Sequence, residues 1–564
     1  MQNVFIGVGG SGTKVAEALV RLLAIGFPTR IDENGIITSS GDSLQIWRLD
    51  PDRSSGSAAA LNRSLEEYKE LQRHLGYING DIAGSQWAMD IDTEVRHLDP
   101  LEISSDGGSK KEAKTLRSLL SFGGAGKQDA RPFLDAFYEE KELEVNIDRG
   151  FYQKPFIGAA VMAIFAKTLE DENSPGGNKV RLTSLSDREV RFFLCGSLNG
   201  GTGACGVPIL GKFLSDSRIA RGNRPWKIGA CLLAPYCIPP EPPFNALEEE
   251  EVTPERIEEF LHRYSNVPAF SDLSTEEKRG LVKQILLGFY ADPKEMVDRT
   301  RQNLSYYKDH PSMQFDDLYL VGKREPDKLE KWSNGGKNQS NPLNSAEVVA
   351  AITALQFFSG SIIGKQDSYV IATSTSTLSP QKMHLHHLPR YRIAGAIQGG
   401  IEVDPERVFL ATGILHHVLR QQIPWSVDAK RWSGIEGLRN YYQNDEPKKD
   451  RDLSHYQNAT NQIAKLVLSI IDPGQTMGWD ADDLGKISGY FSEEFNQVND
   501  ITDKISKKYR FSPNKEAKGP LVLGESSIKV SASEFGDWTP PKNQYDRGYY
   551  MRFLWSNFFS KHEQ

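Results

Sequence analysis

The first fifty residues alternate between short apolar runs and a helical pattern. The run "VFIGV" is typical of a buried strand, and after the turn "GGSG" apolar residues recur at helical spacing at Val15, Leu19, Leu22 and Leu23. A second apolar run, "LQIWRLD", ends at Asp50. This order predicts a strand, a helix and a second strand, which is the repeating unit of a parallel sheet with helices on its faces.

Two later stretches repeat the change from an apolar run through glycine to a helical pattern. The turn "FGGAG" precedes "DARPFLDAF", and "RFFLCGSLNGGTGACG" precedes "VPILGKFL". The runs "KIGACLLAPY" and "FDDLYLVG" predict two more buried strands, and the apolar segment 345–362 predicts a long helix buried on most of its faces. Together these patterns predict an α/β fold built on a parallel sheet.

Composition and charge narrow the class of protein. The 564-residue chain has 38% hydrophobic and 25% charged residues, which is typical of a globular protein of several domains. Its net charge of −8 argues against a nucleic-acid partner. No window approaches the roughly 18 consecutive apolar residues of a membrane span, and no leader pattern occurs, so we expect a cytoplasmic protein without a membrane span. The four cysteines form no C-x-x-C pair and are expected to be reduced thiols.

Each glycine turn lies where a predicted strand gives way to a predicted helix. Unpaired backbone N–H groups at a helix N-terminus attract anions, and glycine allows phosphate oxygens to come close. Gly7, Gly9 and Gly12 also fit the pattern G-x-G-x-x-G of a dinucleotide-binding oxidoreductase. That fold places an acidic residue about 20 positions further on, whereas Asp50 lies 38 positions after Gly12. A P-loop sequence is absent from all three turns.

The stretch "NGGTGACGVP" resembles the glycine-rich signature of the tubulin/FtsZ superfamily. The order of the other motifs is similar as well. "FIGVGGSG" resembles the first phosphate loop of that family, "RLDPD" the loop after its second strand, and "FGGAGKQDARPFLDAF" its third loop. The resemblance covers residues 3–365 and is strongest to divergent bacterial tubulin-like proteins. It implies a parallel-sheet GTPase domain with a core helix, a second α/β domain and a helical C-terminal region.

The resemblance implies GTP or GDP and Mg²⁺ as ligands, and it assigns roles to individual residues. Asp50 corresponds to an acid near the magnesium ion, with a turn cap after the second strand as the alternative. Asn341 or Asn344 would read the guanine base, with helix capping as the alternative for Asn344 and with Asn303 as a third candidate. The residues implied to contact phosphate are Gly9, Gly10, Ser11, Gly12, Gly124, Ala125, Gly126, Asn199, Gly200, Gly201, Thr202 and Gly203.

The sequence departs from the family pattern at two places. In the signature, Cys205 replaces the last glycine and Asn199 the first small residue. After the core helix, family members complete the active site of the next subunit with an acidic loop of the form N-x-D-x-x-D. Here that loop reads "SGSIIGKQDSYVIATS", in which Asp367 is the only acid, either catalytic or an ordinary loop residue. We therefore expect GTP hydrolysis, which self-association would activate, to be slow or absent.

The resemblance and the pattern together divide the chain. We expect a nucleotide-binding domain over 1–344 with an excursion at 240–300, a core helix over 345–365, a second domain over 366–460 and a mostly helical region over 461–564. The family assembles head to tail into filaments with GTP at the subunit junction, and we expect the same here. The C-terminal stretch "GYYMRFLWSNFF" is expected either to form a helix docked on the protein's own core or to anchor a neighbouring subunit or a further protein partner. The alternatives are a nucleotide-dependent scaffold that does not polymerise, and a dinucleotide-dependent oxidoreductase.

Overall fold

A single parallel sheet of eight strands forms the centre of the protein. The structure is a computed structural model, and it describes residues 2–31, 37–38, 42–79, 89–91, 95–104, 110–112, 115–121, 136–148, 150–170, 189–220, 225–240, 247, 249–264, 273–290, 292–309, 315–329, 341–360, 369–372, 383, 385–394, 401–406, 408–409, 412, 451–472, 475–479, 522–523 and 528–529. The strands are β1 (Gln2–Val8), β2 (Ser43–Leu49), β3 (Asp90–Ile91), β4 (Arg96–Leu98), β5 (Val190–Ser197), β6 (Trp226–Leu233), β7 (Asp317–Gly322) and β8 (Tyr369–Ala372).

The strand order reverses next to β1. From one edge the order is β8, β7, β6, β5, β1 and β2, and both β3 and β4 pair with successive parts of β2. All of these pairings are parallel. The chain builds outward from β1 on one side and then outward from β5 on the other. The carboxyl ends of β1 and β5 therefore flank a topological switch point, which is where ligands bind in open parallel sheets.

Helices cover both faces of the sheet. They are α1 (Gly9–Ala24), α2 (Gly56–Asn79), α3 (Leu116–Ser121), α4 (Glu140–Leu143), α5 (Pro155–Glu170), α6 (Gly201–Ala220), α7 (Pro254–Arg263), α8 (Thr275–Leu286), α9 (Met296–Asp309), α10 (Ser345–Phe358) and α11 (Arg451–Ile471). Successive residues of a strand point to opposite faces of the sheet. Phe5 therefore packs in the core on one face, beneath α1, α2, α10 and α11. Val4 and Ile6 pack in the core on the other face, beneath α3, α5 and α6. The predicted α/β fold with a parallel sheet is confirmed.

Shorter elements lie around the sheet and its helices. Glu249–Glu251 and Leu385–His387 are single 3₁₀ turns. Two-stranded parallel pairs join Cys237–Ile238 to Asp327–Lys328 and Leu343–Asn344 to Thr476–Met477. Antiparallel pairs join Arg30–Ile31 to Ile37–Thr38, Glu102–Ser104 to Lys110–Glu112, Tyr391–Ile393 to Ile401–Val403, and Val522–Leu523 to Ile528–Lys529.

The long apolar helix predicted over 345–362 is α10. Every residue of α10 except Gln356 is buried, which explains why its sequence shows apolar residues on nearly all sides. The helix ends at Phe358, and Gly360 follows in the left-handed region with φ 75°. Arg191 of β5 donates to the backbone carbonyl of Phe358. A cation at this position stabilises the partial negative charge at a helix C-terminus.

The predicted excursion at 240–300 contains helices with a small core of their own. Phe260 of α7 packs against Leu281, Val282 and Ile285 of α8. Each helix has a good N-cap: Thr253 accepts from the first turn of α7, and a capping box starts α8. Further along the chain, α11 runs through the predicted boundary at 460–461 and packs against α2.

Candidate functional site

Two of the three predicted glycine turns, those that start α1 and α6, meet at the switch point of the sheet. β1 ends at Val8 and α1 begins at Gly9 in the left-handed region, with φ 73°. β5 ends at Ser197, and α6 begins at Gly201. A Cβ atom on Gly9 would lie 3.2 Å from the Cβ of Thr202, so the two helix starts are in contact. The sequence predicted this convergence, because the carboxyl ends of parallel strands lie at one edge of a sheet.

Some of the predicted phosphate-binding glycines are required for packing. A Cβ atom on Gly12 would overlap the backbone carbonyl oxygen of Cys195 on β5. A Cβ atom on Gly203 would lie 2.5 Å from the backbone nitrogen of Ser197, which is closer than any real contact. At these two positions the structural-turn interpretation is therefore sufficient to explain glycine.

Gly10 and Gly200 differ from these two glycines. The nearest atom to a Cβ on Gly10 would be Ser57 Oγ at 3.9 Å, and to a Cβ on Gly200 it would be Ser197 Cβ at 3.5 Å. Both glycines line a cleft with a volume of about 240 Å³. Other residues that line the cleft include Ser11, Lys14, Gln153, Asn199, Tyr236, Asn341, Asn344 and Glu347. At these two positions the cleft has free space beside the backbone.

Asn199, one of the departures from the family signature, belongs to a hydrogen-bonded turn. Its Oδ1 accepts from Ser197 Oγ at 2.7 Å, and the same Oγ accepts from the backbone N–H groups of Asn199 and Gly200. These two N–H groups, which the sequence predicts to contact phosphate, are thus used inside the turn. The N–H groups of the first turn of α6 have no acceptor within the helix and stay available. No described residue hydrogen-bonds to Nδ2 of Asn199.

Cys205, the other departure, fills space beside the glycine turn. Its Sγ lies 3.1 Å from the carbonyl oxygen of Gly201, and burial raises the pKa of its thiol above the ordinary value. A Cβ atom on Gly158 of α5 would overlap this sulfur. Glycine at position 158 therefore leaves the volume that the Cys205 side chain fills, and α5 and α6 pack closely.

A buried charged group also lines the cleft. Lys14 Nζ donates to the backbone carbonyls of Asn341 and Pro342 at 2.7 and 2.9 Å and lies 3.7 Å from Glu347 Oε2. The hydroxyl of Tyr236 donates to Glu347 Oε1 at 2.7 Å. Burial raises the pKa of Glu347, and the positive charge of Lys14 opposes that rise. The sequence did not predict this group, because Lys14 and Glu347 are far apart in the chain and neither lies in a glycine turn.

The three candidate base-reading asparagines lie in different settings. Asn344 caps α10: its Oδ1 accepts from the backbone N–H of Ala346 at 3.0 Å, and its Nδ2 donates to Asp327 at 2.8 Å. The capping interpretation of Asn344 is confirmed. Asn341 lines the cleft, and no described residue hydrogen-bonds to its side chain. Asn303 lies on α9, and its Nδ2 donates to the backbone carbonyl of Leu198. This hydrogen bond fixes α9 against the turn before α6.

Asp50 lies at the end of β2 and is held by protein groups. Its Oδ1 accepts from the backbone N–H of Asp52 at 3.1 Å, and its Oδ2 lies 3.5 Å from Nη2 of Arg48. Burial raises the pKa of Asp50 to about 7. The turn-cap interpretation is confirmed. In the part of the chain that the structure describes, no three potential metal ligands come together, so a magnesium role of Asp50 stays a prediction.

Four further predicted residues, Gly124, Ala125, Gly126 and Asp367, lie outside the described residues. Among the described helices, none is long and apolar enough to cross a membrane. Comparisons of the chain with protein-family models, with curated proteins and with solved structures find no match. The function is therefore inferred from the geometry of the cleft and from the order of the glycine motifs.

Proposed function

We propose that this chain binds a guanine nucleotide, GTP or GDP, in the cleft at the switch point and assembles head to tail into filaments. The observation that carries the proposal is the convergence of two helices that both begin in glycine turns at the carboxyl ends of adjacent strands. Two helix N-termini in contact concentrate unpaired N–H donors and partial positive charge at one place. A di- or triphosphate is the common ligand that needs several such donors at once.

The polar groups around Glu347 support a guanine base. Guanine presents two neighbouring N–H donors on its pairing edge, whereas adenine presents an acceptor there. The carboxylate of Glu347 is an acceptor fixed by Tyr236, and the side chain of Asn341 supplies both a donor and an acceptor. These groups complement guanine better than adenine, and they lie at the start of the core helix, where the resemblance implies base recognition.

The proposal extends to assembly and to slow hydrolysis. In the tubulin/FtsZ superfamily the loop after the core helix reaches the nucleotide of the next subunit. Contacts of this head-to-tail kind do not close and therefore produce filaments. In this chain that loop supplies a single acid, Asp367, so few groups can activate an attacking water. We propose that Mg²⁺ accompanies the nucleotide, with Asp50 as the acid that the resemblance implies near it.

Nucleotide extraction and equilibrium binding test the first part of the proposal. The purified chain is denatured, and the released nucleotides are separated and identified; the emptied protein is then titrated with GTP, ATP and NAD. We expect guanine nucleotide in the extract and at least tenfold tighter binding of GTP than of ATP. Preference for ATP would refute the guanine assignment, and preference for NAD would favour the oxidoreductase alternative.

Light scattering and electron microscopy test the second part. We expect filaments with GTP and Mg²⁺ and fewer or none with GDP. If GTP binds but no filaments form under any salt or nucleotide condition, the assembly proposal is wrong. The missing N-x-D-x-x-D pattern then favours the second candidate, a nucleotide-dependent scaffold that does not polymerise.

A further inference from the structure

A tight turn before α5 forms one wall of the cleft beside the glycine turn that starts α6. A Cβ atom on Gly201 would lie 2.8 Å from the backbone carbon of Phe151, so the two turns are in direct backbone contact. In the same turn Tyr152 and Gln153 both have positive φ, 48° and 58°, a region that residues with side chains rarely adopt. Two consecutive residues of this kind are held by their surroundings, and such backbone strain clusters at functional sites.

The hydrogen bonds of Gln153 fix which way its side-chain amide faces. Its Oε1 accepts from the backbone N–H of Asp292 and from Nη1 of Arg299, both at 3.1 Å. The same Nη1 donates to the backbone carbonyl of Gln153 at 2.6 Å. Both partners of the side chain are donors, and only the amide oxygen accepts, so the oxygen and nitrogen positions cannot be exchanged.

The remaining atom of that amide, Nε2, has no hydrogen-bond partner among the described residues. Gln153 is 8% exposed and lines the cleft. Its hydrogens are unused by the protein at the cleft lining, while the amide oxygen stays held by Asp292 and Arg299. The side chain is therefore prepared for an acceptor that comes from outside the protein.

Asn199 repeats this arrangement in the neighbouring turn. It too is 8% exposed, its amide oxygen is held by Ser197, and its amide nitrogen has no partner among the described residues. Two fixed amides thus offer donors to the same cleft, close to the start of α6. Arg299, which is paired with Glu295, and Lys154 lie beside Gln153, and burial together with the charge of Arg299 lowers the pKa of Lys154. A ligand group that suits these two amide donors is rich in hydrogen-bond acceptors, as a phosphate group is.

We propose that Gln153 is a ligand-binding residue of the cleft that donates from Nε2 to a phosphate oxygen of the bound nucleotide. This inference rests on the proposed function, because it requires a phosphate-bearing ligand at the two glycine turns. The family resemblance does not assign this residue, which lies outside the glycine motifs. The hydroxyl of the preceding residue, Tyr152, donates to the backbone carbonyl of Asn146 at 2.7 Å and lies 3.1 Å from the side-chain oxygen of Gln284, so the turn keeps its shape without a ligand.

Two substitutions of Gln153 and one control test the inference. Gln153→Met keeps the length and removes both the donor and the acceptor of the amide. Gln153→Glu keeps an acceptor for Asp292 and Arg299 and places a negative oxygen where Nε2 was. The control Gln284→Glu makes the same chemical change at a residue that also contacts this turn but does not line the cleft. Each protein is titrated with GTP and with guanosine, and its thermal unfolding midpoint is measured.

We expect Gln153→Met to weaken GTP binding about tenfold and Gln153→Glu about a hundredfold, because a hydrogen bond to a charged group is lost and then replaced by repulsion. Guanosine binding should change less than about threefold in both variants, and Gln284→Glu should bind both ligands like the wild type. If Gln153→Glu lowers the unfolding midpoint, the uncharged Gln153→Met decides the result.

The outcomes separate this inference from the proposed function. If the wild type does not bind GTP, the proposed function is wrong and this inference is wrong with it. If the wild type binds GTP and both Gln153 variants bind it within threefold, only this inference is overturned. Equal losses for GTP and guanosine would overturn the phosphate assignment, because Gln153 would then contact the nucleoside.

Discussion

Gly10 and Gly12 lie two residues apart in the first turn of α1, and alanine should affect them in opposite ways. In Gly10→Ala the new methyl group would have its nearest neighbour, Ser57 Oγ, at 3.9 Å, so the fold has room for it. Alanine also has the higher helix propensity, and we expect the free energy of unfolding to rise by about 0.5 kcal/mol. The methyl group would, however, occupy the cleft where a phosphate oxygen would approach the backbone.

The expected loss of binding follows from the hydrogen bond that is displaced. A hydrogen bond to a charged group contributes about 1.5–3 kcal/mol, and about 1.4 kcal/mol corresponds to a factor of ten. Gly10→Ala should therefore weaken GTP binding by roughly 10-fold to 100-fold. The matched control, Gly12→Ala, forces a Cβ into the carbonyl oxygen of Cys195 and should destabilise the protein by about 3 kcal/mol.

Urea unfolding and titration with a fluorescent GTP analogue measure both quantities on the same preparations. The reasoning is refuted if Gly10→Ala loses more than about 1 kcal/mol of stability, since the cleft would then not be open at this position. It is also refuted if the folded variant binds GTP like the wild type. Bulky residues at Gly203 would be a poorer test, because this glycine is packed against β5 and its loss would damage the turn itself.

Three further predictions concern stability. Folding raises the pKa of Asp50 from 3.8 to about 7, so the stability that protonated Asp50 contributes is fully present below pH 4 and is lost as the pH rises to 7, by at most about 4 kcal/mol. In urea unfolding, Asp50→Asn should therefore gain stability relative to the wild type between pH 5 and pH 8. A stability difference that does not change with pH would contradict this. Arg191→Met removes the donor at the end of α10 and should cost about 1–2 kcal/mol in the same assay, whereas no loss would mean that the bond contributes nothing. Gly158→Ala should lower the free energy of unfolding by about 2 kcal/mol, and adding Cys205→Ala should restore part of that loss. If the two substitutions change the free energy of unfolding additively, the methyl group does not meet the Cys205 sulfur.

The sequence predicts the sheet and the meeting of the glycine turns for one physical reason. Apolar runs that end in glycine and continue as amphipathic helices specify parallel strands, and the ends of parallel strands share an edge. The helical excursion after β6 was harder to predict, because its small core involves few residues within a charged stretch. The strong N-caps at Thr253 and Ser274 were local signals that could have revealed its helices.

The walls of the cleft depend on contacts that no local pattern encodes. Lys14 and Glu347 meet only because α1 and α10 pack against each other. The role of Gln153 depends on two positive φ values and on a hydrogen bond from α9, and neither leaves a trace in hydrophobic periodicity. The capping role of Asn344 was one of two open interpretations, and only the geometry of its oxygen distinguishes a cap from a free side chain.

The contact between Gly9 and Thr202 has an electrostatic consequence for the protein without a ligand. It joins the positive ends of two helix dipoles, each equivalent to about half a unit charge, and such like ends repel each other by an energy of order 1 kcal/mol. The fold therefore contains a local electrostatic frustration that any small multivalent anion relieves. Inorganic phosphate or sulfate at millimolar concentration should raise the thermal unfolding midpoint more than chloride at equal ionic strength, without any base recognition.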